Sequence, residues 1–166
     1  MSGRSGAQVL QDRYVLDTHT GLEAIKQQQI IPAGFFPIGR KIRVALSGYK
    51  SGTSFGTSFF VRLGVEGTTA DATLHAVAAP LFISAANPSG ATEFVCVRID
   101  ATTVRFLTSG VITPRTTSST TAANHADITF AAGVLDAQLY LSLGVSQTTE
   151  TFTFKHFMVS ISDGNL

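Results

Sequence analysis

Regular alternation of apolar and polar residues, interrupted at short intervals by glycine, is the feature that most constrains the fold of this chain. The apolar positions of two such segments are Ile42, Val44 and Leu46, and Leu139, Leu141, Leu143 and Val145. A period of two residues places alternate side chains on one face of a β-strand. Short strands separated by Gly-containing turns, with no long amphipathic helix pattern between them, predict an all-β sandwich or barrel. We favour an antiparallel β-sandwich of about eight strands with a jelly-roll-like arrangement.

A length of 166 residues fits a single domain with one core. We place the β-sandwich domain at residues 30–166 and an N-terminal arm at residues 1–29, because the first segment is more polar. Residues 21–29 fit either a short helix or an extended arm. The arm as a whole has two open alternatives, namely contributing a strand to a neighbouring subunit or packing on its own domain.

Two further strand segments carry apolar residues less regularly. Val95, Val97 and Ile99 are predicted to form an inward face, followed by a turn at Asp100 and a hairpin partner. Residues 152–161 are apolar on both faces. A strand of that kind is either central in the sandwich or faces a partner.

The charge balance argues against a nucleic-acid surface. The chain has 12 basic and 11 acidic residues, and only 14% of its residues are charged. Nucleic-acid-binding domains usually carry a basic stripe, whereas a surface poor in charge suits coverage by neighbouring subunits. No apolar run is long enough for a membrane-spanning helix, and the first residues lack the pattern of a secretory signal. We therefore expect synthesis in a cytoplasm, with no nucleic acid and no membrane insertion.

The usual catalytic and metal-binding signatures are missing from the sequence. It contains no phosphate-binding loop and no nucleophile elbow, and its four histidines lack zinc-site spacing. Glu66, Asp71 and His75 form a cluster near a glycine turn, and its two carboxylates are of the ligand type that calcium prefers, but Asp71 is better explained as a turn cap. We therefore predict no catalytic residue, no metal and no cofactor.

The remaining reactive side chains have structural explanations. Cys96 lies in an apolar run and is predicted to be a buried, inert thiol. Asp100 is interpreted as a turn residue. Asp127 and Asp136 flank a strand and are interpreted as loop caps in preference to a general acid–base pair.

Three sets of residues are candidates for partner contacts. The arginines predicted to point outward from the strands would pair with carboxylates of a neighbouring subunit, or else form a solvated sheet face; they are Arg43, Arg62, Arg98 and Arg105. The predicted anchors of the arm are Val9, Leu10, Tyr14 and Leu16. A polar loop at residues 113–125 is a candidate receptor contact through Arg115, Asn124 and His125.

Several motifs in order resemble a small all-β module of tailed-bacteriophage virion proteins. In that module an Ile-Pro-Ala segment and a few linker residues precede a glycine and the first long strand. The corresponding segments here are residues 29–44, 60–64 and 67–71, and a Thr- and Phe-rich final strand ending near Ile161. The resemblance covers roughly residues 29–162.

The resemblance implies a jelly-roll-like fold, self-association that is often trimeric, and a place on the exterior of the virion. Proteins of this kind serve as capsid decoration or cement proteins, or as tips of tail or head fibres. An arm of 29 residues is too short for a fibre shaft. We therefore expect a structural protein that decorates or cements the capsid by binding the major capsid protein or another virion protein. The alternative is a receptor-binding or adaptor tip of a tail or head fibre.

Overall fold

The computed structural model describes residues 8–50, 57–78, 89–108 and 125–163, and most of them lie in β-strands. The strands are β1 (Gln8–Ile31), β2 (Arg40–Lys50), β3 (Thr57–Gly64), β4 (Ala72–Ala78), β5 (Ser89–Arg98), β6 (Thr103–Thr108), β7 (His125–Thr129) and β8 (Leu139–Asp163). One 3₁₀ turn, Val134–Asp136, precedes β8. Within the described residues no helix is long and apolar enough to cross a membrane.

The strands form two antiparallel sheets that pack as a sandwich, as the alternation predicts. The long strand β8 belongs to both sheets, because its residues 140–147 pair with β3 and its residues 152–163 pair with β2. The first sheet has the order β4-β3-β8-β1 and the second has the order β7-β6-β5-β2-β8-β1. The outermost strands β4 and β7 contact each other. Strand β1 pairs with β8 along nearly its whole length, from Ile31 opposite Leu139 to Gln8 opposite Ile161.

The core is formed by the inward faces of both sheets. The predicted inward residues of β2 and of the first part of β8 are all buried, and Phe94 and Phe106 add aromatic rings whose centroids are 5.5 Å apart. Phe36, in the loop between β1 and β2, is also fully buried and covers one end of the core. Removing this much apolar surface from water is the main force that holds two such sheets together.

The inward face predicted for β5, that of Val95, Val97 and Ile99, is wrong. Phe94 and Cys96 point into the core opposite Val44 and Ile42, whereas Val95 is only half-buried. The cause is that residues 94–97 are apolar at every position, so a period-two pattern cannot select the inward face. Val97 is also buried, although it lies on the other side of the strand.

The N-terminal segment is a strand of its own domain. The pairing of β1 with β8 of the same chain corresponds to the second alternative for the arm, and residues 21–29 are extended, not helical. Strand β1 runs without interruption across the predicted boundary between residues 29 and 30. The largest of the five register shifts in its ladder lies further upstream, between His19 and Gly21.

Candidate assembly surface

Strand β1 forms the edge of both sheets. It carries more exposed large apolar side chains than any other strand in the described part of the chain. Among the described strands, β8 is its only neighbour. Leu22 is 89% exposed, Val9 is 55% exposed and Ile30 is 47% exposed. An edge strand offers main-chain groups that can pair with another chain, and monomeric proteins usually protect such edges. The edge of β1 is therefore the first candidate for a contact with a partner.

An ion pair fastens the C-terminal part of β1 to the first sheet. Glu23 of β1 accepts two hydrogen bonds from the Arg62 guanidinium of β3, at 2.7 Å from Nε and 2.8 Å from Nη2. Arg62 Nη1 also donates to the carbonyl oxygen of Asp71 and to Thr73 Oγ1. The guanidinium carbon lies 5.5 Å from the centroid of the Phe60 ring. This bidentate pair leaves Arg62 and Glu23 only 12% and 20% exposed.

The Glu23–Arg62 pair crosses over β8 at Gly144. A Cβ atom on Gly144 would lie 2.8 Å from Glu23 Oε1, so the absence of a side chain allows the carboxylate to lie against the sheet. A glycine inside a strand often marks a close approach of this kind. We call Glu23, Arg62 and Gly144, together with Gln28 and Ser142, the β1 clamp.

Gln28 supplies the second attachment of the β1 clamp. Its Nε2 atom donates to Ser142 Oγ of β8 at 3.1 Å and to the carbonyl oxygen of Gly67 at 2.9 Å. Ser142 is fully buried beneath these side chains although it lies on the outer face of the sheet. The C-terminal part of β1 is thus connected to β3, to β8 and to the turn after β3.

Asp71 organises the turn after β3, as predicted. Its carboxylate accepts hydrogen bonds from the backbone N–H groups of Glu66, Gly67 and Thr68 at 3.1, 2.7 and 3.3 Å, and the residue is 6% exposed. The carboxylate therefore has the turn-capping role that the sequence predicts. No group of three metal-ligating side chains occurs among the described residues.

Arg98 is buried at one end of the sandwich, so the outward orientation predicted for it is wrong. It shares the inward face of β5 with Phe94 and Cys96, and its side chain is 4% exposed. Its guanidinium bonds to Asp136 Oδ1 at 2.7 Å. It also donates to the carbonyl oxygens of Phe36, Asp100, Ala101 and Leu135 at 2.9–3.1 Å. One side chain thereby joins three loops, and we call Arg98 with these partners the base.

The other two predicted contact arginines also pair within the chain. Arg43 binds Glu93 at 2.6 Å, and Arg105 binds both oxygens of Asp127 at 2.7 Å. The hydrogen bond and charge of Asp127 raise the pKa of Arg105 above its ordinary value. Both pairs are on the outer face of the second sheet and are largely exposed. Contact between either arginine and a neighbouring subunit stays a prediction.

The predicted anchors of the arm lie along the N-terminal part of β1. Leu10 is partly buried against the core, and Val9 points to solvent. The backbone of Tyr14 lies opposite His156, and Leu16 belongs to the same strand, but the side chains of both lie outside the described part of the structure. Arg115 and Asn124 of the predicted receptor loop also lie outside the described residues, whereas His125 begins β7.

Two of the remaining reactive groups have the local roles that the sequence indicates. Cys96 is completely buried, and burial raises the pKa of its thiol to about 12, so it is protonated and inert. Asp100 Oδ1 accepts the N–H groups of Thr102 and Thr103, both at 2.8 Å, which lowers the pKa of Asp100. The loop-cap interpretation is wrong for Asp127, which lies inside β7 and pairs across the sheet with Arg105, whereas Asp136 lies in the 3₁₀ turn and pairs with Arg98.

Sequence reasoning missed the β1 clamp. Glu23 and Arg62 are 39 residues apart, and nothing in either segment indicates that β8 lies between them. The available signal was Gly144, a glycine in the interior of a strand, at one of the positions between the regularly spaced apolar residues of β8. The buried position of Arg98 had no comparable signal, because an arginine next to an apolar run usually points to solvent.

Comparison with known proteins gives no match to a family model, to a curated protein or to a solved structure.

Proposed function

We propose that this chain is a structural protein of a bacteriophage virion, without a catalytic step of its own, that self-associates and decorates or cements the capsid. Its partners are further copies of itself, often three in modules of this kind, and the major capsid protein or another virion protein. The jelly-roll-like arrangement of its sandwich is part of the same proposal.

The observation that carries the proposal is the position of the resembling motifs in the fold. Residues 31–33, Ile-Pro-Ala, end β1 and begin the loop to β2, and Gly39 comes directly before β2. Residues 60–64 lie in β3, and residues 67–71 form the turn capped by Asp71. The last strand ends at Asp163. The resembling segments thus lie, in chain order, at the end of β1, directly before β2, in β3 and in the turn after it, and in β8, and this order is what supports the proposal.

The surface supports an assembly function. Arg43, Arg62 and Arg105 each form an ion pair with a carboxylate of the same chain. The net charge of the chain is +1. A nearly neutral chain exerts little electrostatic repulsion on further copies of itself. The exposed apolar side chains of β1 lie on an edge that can accept a partner.

Electron microscopy of intact particles tests the location. Particles purified from a lysate of the source phage would be labelled with an antibody against this chain. Label distributed over the capsid supports the proposal, and label confined to the tail favours the adaptor or receptor-binding tip. Absence of label from intact particles would overturn a virion role altogether.

A matched pair of substitutions tests which surface is used. Leu22→Lys places a charge on the β1 edge, and Ile38→Lys places one on a loop residue that is 59% exposed. We expect Leu22→Lys to reduce oligomerisation, measured by size-exclusion chromatography with light scattering, and Ile38→Lys to leave it unchanged. Equal effects of the two substitutions would contradict the assignment of the β1 edge.

A further inference from the structure

Strand β1 is divided into two parts at Gly21. Residues 8–19 pair with residues 152–161 of β8, and residues 21–31 pair with residues 139–147. Between the two parts the partner of β1 changes from Phe152, opposite His19, to Gln147, opposite Gly21. The register therefore passes over residues 148–151 of β8. The break coincides with the point at which β8 passes from one sheet to the other.

Gly21 has the conformation of a hinge residue. Its φ angle is +120°, in a region that other residues rarely adopt, and a Cβ atom placed on it would meet no atom within 4 Å. The side of the backbone that a Cβ atom would occupy is therefore open. A change in the φ and ψ angles of this glycine would redirect residues 8–19.

The two parts of β1 are held in different ways. The part after Gly21 carries Glu23 and Gln28 of the β1 clamp and ends in the fully buried Ile31. Among the side chains that the structure describes before Gly21, Asp12 makes a hydrogen bond of 2.6 Å with His156, and the two side chains are 57% and 41% exposed. Exposed contacts of this type contribute little to stability. Leu10, in the same described set, is partly buried against the core.

We propose that residues 8–19 are exchanged between copies of this chain, so that each copy completes the second sheet of its neighbour. This inference rests on the proposed self-association and names its contact. The edge of β8 at residues 152–161 matches this segment through a specific register with shifts after Val9 and Tyr14. A second copy supplies the same segment with the same register, so exchange re-forms every contact of the closed chain. Gly21 is the hinge, and the β1 clamp keeps the rest of β1 in place.

Engineered disulfides distinguish exchange from closure. Val9 lies opposite Ser160 and Asp12 lies opposite Met158, so cysteine pairs at these positions join residues 8–19 to β8. The matched control is a cysteine pair at Ile30 and Tyr140, on the clamped part of β1. Each full-length variant is purified under reducing conditions, and its oligomer is then oxidised and run on a denaturing gel without reductant. The native Cys96 is buried and protonated, so it does not interfere.

Exchange predicts a different result for the two parts of β1. The Val9→Cys/Ser160→Cys and Asp12→Cys/Met158→Cys variants should give covalent dimers or larger rings, and Ile30→Cys/Tyr140→Cys should give covalent monomers. Covalent monomers from all three variants overturn the exchange. A chain that stays monomeric at every concentration also overturns it.

The proposed function is judged separately from the exchange. An oligomer whose disulfides all form within single chains, and which still binds capsids, contradicts the exchange and retains the virion role. A protein that forms crosslinked rings but is absent from particles contradicts the virion role and retains the exchange.

Discussion

The base and the β1 clamp both depend on an arginine paired with a carboxylate, but they differ in what the arginine binds besides that carboxylate. Arg98 in the base donates to four backbone carbonyl oxygens as well as to Asp136. Arg62 in the clamp donates twice to Glu23, at the edge of the sheet, and besides this carboxylate it binds one backbone carbonyl oxygen, that of Asp71, and Thr73 Oγ1. The contribution of each guanidinium to the free energy of unfolding should therefore increase with the number of buried groups that its loss would leave unpaired.

This difference separates two tasks within one small domain. The base joins the loop before β2, the turn between β5 and β6, and the 3₁₀ turn before β8, so it fixes the shape of the end of the sandwich. The β1 clamp fastens a strand that has β8 as its one neighbour among the described strands. If the proposed function is correct, a rigid end and an attachable edge are what an assembly unit requires.

Replacement of Arg98 should have the largest effect on stability. Arg98→Met leaves the carbonyl oxygens of three loops without their donor, and we expect a loss of about 3–5 kcal/mol in the free energy of unfolding. Urea denaturation measures this loss. Arg43→Met is the control, because Arg43 has a side chain that is 56% exposed. It should cost about 0.5 kcal/mol or less.

Arg98→Lys keeps the comparison measurable if the methionine variant does not fold. Lysine retains the charge but has fewer donors and cannot reach all three loops at once. We expect an intermediate loss of stability. A lysine variant as stable as the Arg43→Met control would show that the base does not depend on the several N–H donors of the planar guanidinium.

Replacement of Asp71 should have the second-largest effect. Its carboxylate accepts three backbone N–H groups in a nearly buried position, and Asp71→Asn turns one of the accepting atoms into a donor. We expect a loss of about 2 kcal/mol by urea denaturation. Glu66→Gln, on the exposed side of the same turn, is the control and should be nearly neutral. A loss of similar size from both would indicate an effect of charge alone.

Sequence reasoning succeeded where a single strand or turn determines the outcome and failed where two distant segments do. The alternation in β2 and the start of β8 identified their buried faces, and turn chemistry identified Asp71 and Asp100. The inward position of Arg98 depends on which face of β5 packs into the core, and residues 94–97 are apolar on both faces. The pairing of Glu23 with Arg62 depends on strand order, which local patterns do not specify.

The β1 clamp should contribute less than the base, and a double-mutant cycle can isolate its ion pair. Glu23→Gln, Arg62→Gln and the double variant should give a coupling energy of about 1 kcal/mol, the upper end of the range for pairs near the surface. The same cycle on Arg105 and Asp127, whose side chains are 43% and 40% exposed, should give a smaller coupling. Equal coupling energies for the two pairs would mean that the burial of Arg62 and Glu23 does not strengthen their ion pair.

The smallest expected effect concerns the exposed rim of the base. Two backbone N–H groups bind Asp100, which lowers the pKa of this carboxyl below its value in the unfolded chain. A lowered folded-state pKa stabilises the protein above the unfolded-state pKa, and this contribution disappears as the pH falls through the folded-state value. Asp100→Asn should therefore lower the Tm at about pH 6, and the difference from the parent chain should shrink at about pH 2.5. A difference in Tm that stays constant between these two pH values would show that the side-chain charge of Asp100 does not support the turn, and that the base depends on its buried guanidinium alone.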